Sequence, residues 1–170
     1  MSVAEAVGTW QEQLADAFVD AGVEVVCWVP DKRLAPIAAR LAERDVPVRT
    51  LTREEECFGY AAGFRAAGGM PLILIQCSGL GNSLNALGSL VIPYGLAFPA
   101  VISMRGTLNE RNPSQMPLGR TTIGSLDLLG VQSFPLARPE QIPALVEGAM
   151  AVADGARTFA PILLEPDLEL

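Results

Sequence analysis

Apolar positions along the chain follow two alternating periods. Over residues 5–21, Ala6, Trp10, Leu14, Ala17, Phe18 and Ala21 recur at helical spacing, and Gly22 closes the run. Val23 to Val29 is a short β-branched stretch ending at Pro30, the pattern of a buried strand. Helical spacing returns over 33–44 through Leu34, Ile37, Ala38 and Leu41, and Val46 to Val48 predicts a second strand. A helix over 54–67, a strand over 71–75, a helix over 80–92 and a strand over 99–103 follow. The polar stretch from Met104 to Arg120 predicts a long loop. A short helix over 124–129, a strand over 131–134, a helix over 139–153 and a strand over 161–164 complete the pattern. Fully apolar strands alternating with helices predict an α/β fold. Its sheet is open and mostly parallel, with about six strands and helices on both faces.

Composition narrows the function classes. With 170 residues, half of them hydrophobic and 18% charged, the chain is expected to form a single domain, 1–170, with a sizeable core. Twelve basic residues against nineteen acidic ones give a net charge of −7, which disfavours nucleic acid and anionic membrane surfaces as partners. Histidine is absent, so His-based metal sites and Ser-His-Asp or Cys-His catalysis are excluded. Cys27, Cys57 and Cys77 are odd in number, far apart and set in apolar runs, and read as reduced core thiols of a cytoplasmic protein. The start of the chain, with Glu5, Gln11 and Glu12, shows no basic and then apolar run of a signal peptide.

One interval is abnormal: no charged residue lies between Arg65 and Arg105. Gly79, Gly81, Asn82, Asn85, Pro93 and Pro99 interrupt it too often for a membrane span. The helix containing residues 82–90 carries small, uncharged residues all round, where an outer helix of a monomer carries a charged face. A covering second chain is the simplest explanation.

In an open α/β sheet, ligands bind beyond the carboxyl ends of the strands, where four turns of this chain lie. Val29-Pro30-Asp31-Lys32-Arg33 contains the only lysine and opens a helix. Its charges read either as solvated or as a contact for an anion. Thr52-Arg53-Glu54-Glu55-Glu56 holds a capping box of Thr52 with Glu55, which leaves Glu54 and Glu56 with a generic role. The glycine-rich turn Gln76-Cys77-Ser78-Gly79-Leu80-Gly81-Asn82 suits either a phosphate cradle or close packing on a neighbour. It lacks the third glycine of a dinucleotide fingerprint and the P-loop lysine. The 104–120 loop sets Arg105, Arg111 and Arg120 against Glu110 alone, and reads as functional or disordered.

Taken in order, these turns resemble a known family. The stretch from Gly22 to Val131 is similar to the pyrimidine-binding domain of thiamine-diphosphate-dependent 2-oxo acid decarboxylases, in particular to sulfopyruvate and phosphonopyruvate decarboxylases. The resemblance rests on Arg53-Glu54-Glu55-Glu56 followed by Ala61-Ala62-Gly63, on Ser78-Gly79-Leu80-Gly81-Asn82, and on Met104-Arg105-Gly106. It implies thiamine diphosphate and Mg²⁺ as cofactors. The Gly-Asp-Gly of the diphosphate- and magnesium-binding domain is missing from this chain. The resemblance therefore implies a separate β subunit carrying that domain, a hetero-oligomer, and a cofactor seated between chains.

By the same resemblance, Glu54 is the catalytic glutamate that hydrogen-bonds the aminopyrimidine N1′, a role suited to a carboxyl shielded from water. Ser78, Gly79, Leu80 and Asn82 join it in holding the cofactor. Asp31, Lys32, Arg105 and Gln115 face the substrate, and no metal ligand is expected here. Where many members carry histidine near Gln115-Met116, this chain has none, which leaves the substrate and the proton donor open. Lys32, Arg33 and Arg105 suggest a second anionic group on the 2-oxo acid. Carboligation on the same cofactor, a non-catalytic assembly domain and a flavodoxin-like nucleotide-binding domain are the alternatives.

Overall fold

A computed structural model describes residues 8–108 and 110–169. Six strands form one sheet: β1 (Val25–Trp28), β2 (Val48–Thr50), β3 (Pro71–Gln76), β4 (Pro99–Ser103), β5 (Phe134–Leu136) and β6 (Ala160–Leu164). Their order is β2-β1-β3-β4-β6-β5 and every pairing is parallel. The central strands β3, β4 and β6 are buried along almost their whole length, as apolar runs without alternation require. The register sets Gln76, Ser103 and Leu164 side by side at the carboxyl edge.

The six α-helices are α1 (Trp10–Asp20), α2 (Ala35–Glu43), α3 (Glu54–Ala66), α4 (Cys77–Ala86), α5 (Met116–Leu128) and α6 (Ile142–Asp154). One core packs α1, α2 and α6 on one sheet face through residues such as Phe18, Ile37 and Val146. A second core packs α3, α4 and α5 on the other face. There Phe58, Phe98 and Phe159 form a trio with ring centroids 5.4–6.1 Å apart, within the range of favourable tilted ring pairs. Arg40 and Arg44 of the α2 end clamp Asp16 of α1, and the Arg40 hydrogen bonds hold that carboxyl below its ordinary range. Among the described residues no helix is long and apolar enough to cross a membrane.

The alternation of elements matches the sequence reading, and five boundaries move. The first helix starts at Trp10, with Thr9 and Glu12 as a reciprocal cap; Glu5 and Ala6 lie outside the described residues. The second strand covers Val48–Thr50, and the fifth covers Phe134–Leu136. The long loop is the largest correction. Pro113–Gln115 forms a 3₁₀ turn and α5 begins at Met116, so the irregular stretch among the described residues shrinks to 104–108 and 110–112. Pro113 and Pro117 read as breakers, yet each sits in a first helical turn, where the missing N–H costs nothing. The fifth correction concerns the glycine-rich turn: α4 starts at Cys77, immediately after β3, and the glycines lie inside it.

Candidate active site

The three consecutive glutamates that open α3 have different fates. Glu56 reaches back to accept the backbone N–H groups of Thr52 (2.9 Å) and Arg53 (3.1 Å), so Glu56 caps the helix. The expected Thr52–Glu55 box is thereby corrected by one residue, because the helix begins after Arg53. Glu55 pairs with Arg53 at 3.1 Å. Among the described residues no hydrogen bond or ion pair engages Glu54. Its half-buried side chain crosses the bare α-carbon of Gly79 in α4, and a Cβ there would overlap Glu54 Cγ and its carboxyl carbon. Gly79 is thus the seat of Glu54 rather than part of a flexible phosphate loop.

The remaining cofactor candidates follow from α4. Leu80 is 1% exposed and Asn82 is exposed. Both border a cleft of about 350 Å³ between α4 and α5, together with Gly81, Leu118 and Thr122. Ser78 donates its hydroxyl to Gln76 Oε1 at 2.7 Å. Gln76 in turn donates from Nε2 to Asp31 Oδ2 at 3.0 Å. The other oxygen of Asp31 accepts the N–H groups of Arg33 (2.9 Å) and Leu34 (3.3 Å) at the start of α2. The turns after β1 and β3 are therefore joined by side chains. Gln76 has no role in the sequence reading. The signal for it is a polar residue ending the apolar run Pro71–Ile75.

The basic candidates do not converge. Lys32 is exposed on the turn before α2. Arg33 donates to the Leu164 and Glu165 carbonyl oxygens at 3.1 and 2.6 Å and lies 5.9 Å from the Trp10 ring, pinning α2 to the end of β6. Arg105 forms a two-point pair with Glu110 at 2.7 and 2.8 Å. The guanidinium hydrogen bonds, aided by the Asn112 N–H, hold Glu110 down to about 2, so this pair stays charged through neutral and mildly acid pH. Arg105, Arg111, Glu110 and Asp167 border a separate hollow of about 380 Å³. Arg105 also feels the charge of Asp31. Gln115 ends the 3₁₀ turn, its Oε1 buried without a partner among the described residues. Ser103 Oγ, at the end of β4, is in the same state.

The site therefore offers a carboxyl without a partner, seated on a glycine beside an uncharged cleft, and two orphaned buried oxygens at the sheet edge. These features fit an uncharged heteroaromatic ring that needs hydrogen bonds at its rim.

Residues 8–105 match the family described as thiamine pyrophosphate enzyme, N-terminal TPP binding domain. The chain is 34% identical over 155 residues to the sulfopyruvate decarboxylase subunit alpha of Methanococcus maripaludis, covering 91% of this chain and 93% of that one. It is 41% identical over 126 residues to the same subunit from Methanothermobacter thermautotrophicus, covering 74% and 73% of the two chains. Among solved structures, 2-oxoglutarate:ferredoxin oxidoreductase from Magnetococcus marinus superposes with a TM-score of 0.74 at 13% identity, over 91% of this chain and 28% of that one, which is a likeness of fold. The family match and these relatives place the chain in the thiamine pyrophosphate enzyme family, as an N-terminal TPP-binding domain of the sulfopyruvate decarboxylase alpha type.

Proposed function

We infer that this chain is a subunit of a thiamine-diphosphate-dependent 2-oxo acid decarboxylase, releasing carbon dioxide and an aldehyde. The observation that carries this reading is the Glu54 carboxyl, lying over Gly79 with no partner among the described residues while its two neighbours are used locally. When bound, thiamine diphosphate supplies an electron sink for cleaving the bond to the carboxylate. Glu54 shares a proton, at its carboxyl oxygen, with the ring N1′ and so governs which tautomer is held. Gly79 fixes the height of Glu54, and Leu80, Asn82 and Ser78 are the residues that would hold the ring beside it. Decarboxylation is preferred to carboligation and to a non-catalytic role because the relatives named above are decarboxylase subunits.

Mg²⁺ and the diphosphate belong, in this reading, to a β subunit, which completes the site. The face for that partner is the outside of α4 and of the π-helical turn Leu87–Val91 that continues it, where Asn82, Asn85 and Ser89 lie exposed without a charge. Exposed Tyr60, Ile123 and Leu118 on the flanking helices extend it. The substrate is a small 2-oxo acid with a second anionic group, of the sulfopyruvate kind. Of Lys32, Arg33 and Arg105, Lys32 is the cation open to it, since Arg33 and Arg105 are already engaged. Gln115 faces the substrate as a hydrogen-bonding group. Three buried reduced thiols suit a cytoplasmic chain.

The test is decarboxylation by the reconstituted complex of wild type and Glu54→Gln, with sulfopyruvate and a neutral 2-oxo acid as substrates. The variant should assemble normally and lose about 100-fold or more in turnover. Unchanged turnover overturns the role of Glu54, and preference for the neutral acid overturns the anionic substrate.

A further inference from the structure

Gln76 occupies the last position of β3, at the edge where the site forms, and its side-chain amide is used at both ends. The polarity of that amide is fixed by chemistry. A carboxylate only accepts, so Nε2 must face Asp31; Oε1 must then accept from the Ser78 hydroxyl. The result is one directed line, Ser78 Oγ to Gln76 Oε1 (2.7 Å) and Gln76 Nε2 to Asp31 Oδ2 (3.0 Å). Asp31 continues the line into α2 by accepting the Arg33 and Leu34 amides, so the whole β1–α2 turn hangs on it. At the other end, Ser78 immediately precedes Gly79, the seat of Glu54. Turning one of these groups turns the next, because each hydrogen bond is partly buried and has no alternative partner among those described.

The geometry points to Gln76 as a positioning residue that couples the turn carrying Asp31 and Lys32 to the first turn of α4. This rests on the functional reading above and adds a residue to it. Both ends of the Gln76 amide are already engaged, by Asp31 and by Ser78. Gln76 acts by fixing how the substrate-side turn stands relative to the cofactor-side helix. The charged groups around it are Asp31 from the β1–α2 turn, Arg105 after β4, whose charge couples to Asp31, and Arg33, whose guanidinium lies on the Leu164 carbonyl of β6, two strands away.

A carboxyl in place of the amide gives a distinctive test. In Gln76→Glu, the protonated carboxyl keeps the same polarity, donating O–H to Asp31 and accepting from Ser78. Once ionised, it sets two carboxylates face to face, and the pair resists losing its last proton. The experiment measures kcat and KM for the 2-oxo acid from pH 5 to 8, in the complex with the partner chain, for wild type, Gln76→Glu and Gln76→Met. Thermal midpoints and complex assembly are recorded at each pH.

Gln76→Glu should approach wild-type kcat/KM at pH 5. It should fall by about tenfold or more relative to wild type by pH 8 while the complex stays assembled. Gln76→Met, which keeps the length and loses both hydrogen bonds, should raise KM about tenfold at all pH values, with kcat changed less. A pH profile of Gln76→Glu that superimposes on wild type overturns the inference, as does a Gln76→Met variant with unaltered KM. If Gln76→Met fails to fold, the Gln76→Glu profile decides alone, because it compares one protein with itself across pH. The two readings fail separately: wild-type turnover in Glu54→Gln removes the functional assignment, whereas loss there with silent Gln76 variants removes only this one.

Discussion

Glu54, Glu55 and Glu56 are chemically identical and adjacent, and only their surroundings separate them. Two spend their carboxylates on Arg53 and on the amides of Thr52 and Arg53, while Glu54 lies on Gly79. Sequence spacing alone could not sort them. Thr52 with Glu55 and Arg53 with Glu56 are both three residues apart, and the start of the helix decides between the pairs. The resemblance singled out Glu54, and local chemistry did not. Gly79→Ala isolates the seat. Alanine in a helix gains about 0.5–1 kcal/mol over glycine, which offsets part of the crowding against a flexible glutamate. The thermal midpoint should therefore move little, while displacement of Glu54 lowers turnover of the complex by about 100-fold. Parallel melting and rate measurements check this; a rate loss no larger than the stability loss counts against it.

Among the elements, β1, β3, β4, β6 and most helices were legible because apolar runs and helical spacing report burial directly, whereas β2 and β5, short and only partly buried, lie two or three residues beyond where the pattern put them. The start of α5 was not. Its buried positions are Gly119, Thr122 and Leu126, two of them too small or too polar to register as a core face. Gly119 is small for a reason no periodicity reveals: its α-carbon lies on the Arg105–Gly106 backbone, and a Cβ would meet the Arg105 carbonyl. This contact brings α5 and the 3₁₀ turn carrying Gln115 against the strand end. Gly119→Ala pushes against backbone rather than a mobile side chain, so it should destabilise the chain by about 1–3 kcal/mol. Urea unfolding followed by circular dichroism reads this, and an unshifted midpoint refutes the packing argument. The same backbone logic hid the helical state of residues 77–82, where glycines suggest a loop but serve as contact surfaces inside α4.

For the molecule as a whole, the sheet separates two unlike faces. Ion pairs such as Asp16 with Arg40 and Arg44 lie across α1 and α2, while the outer side of α4 is uncharged. That asymmetry was readable from the chain as the gap between Arg65 and Arg105, although the identity of the covering surface was not. Asn85→Arg places a charge in the middle of this face. An isolated chain should tolerate it, with a melting temperature near wild type. Affinity for the partner, measured by titration calorimetry or analytical ultracentrifugation, should fall by about 100-fold, because a guanidinium would be buried without a counter-charge. Wild-type affinity would move the interface elsewhere.

Cys27, Cys57 and Cys77 give the fold a built-in clock. Burial pushes the Cys27 and Cys57 thiols up to about 12 and raises Cys77 as well, so the nucleophilic thiolate is scarce while the chain is closed. An excess of alkylating reagent at pH 8 should modify Cys27 and Cys57 only at the pace of global opening, their two signals rising together. Cys77, bordering the α4–α5 cleft, should react earlier, through partial detachment of α4. Mass spectrometry of timed samples would then report how often α4 lifts away from an otherwise intact protein. Equal rates at all three sites would mean that α4 opens only with the rest.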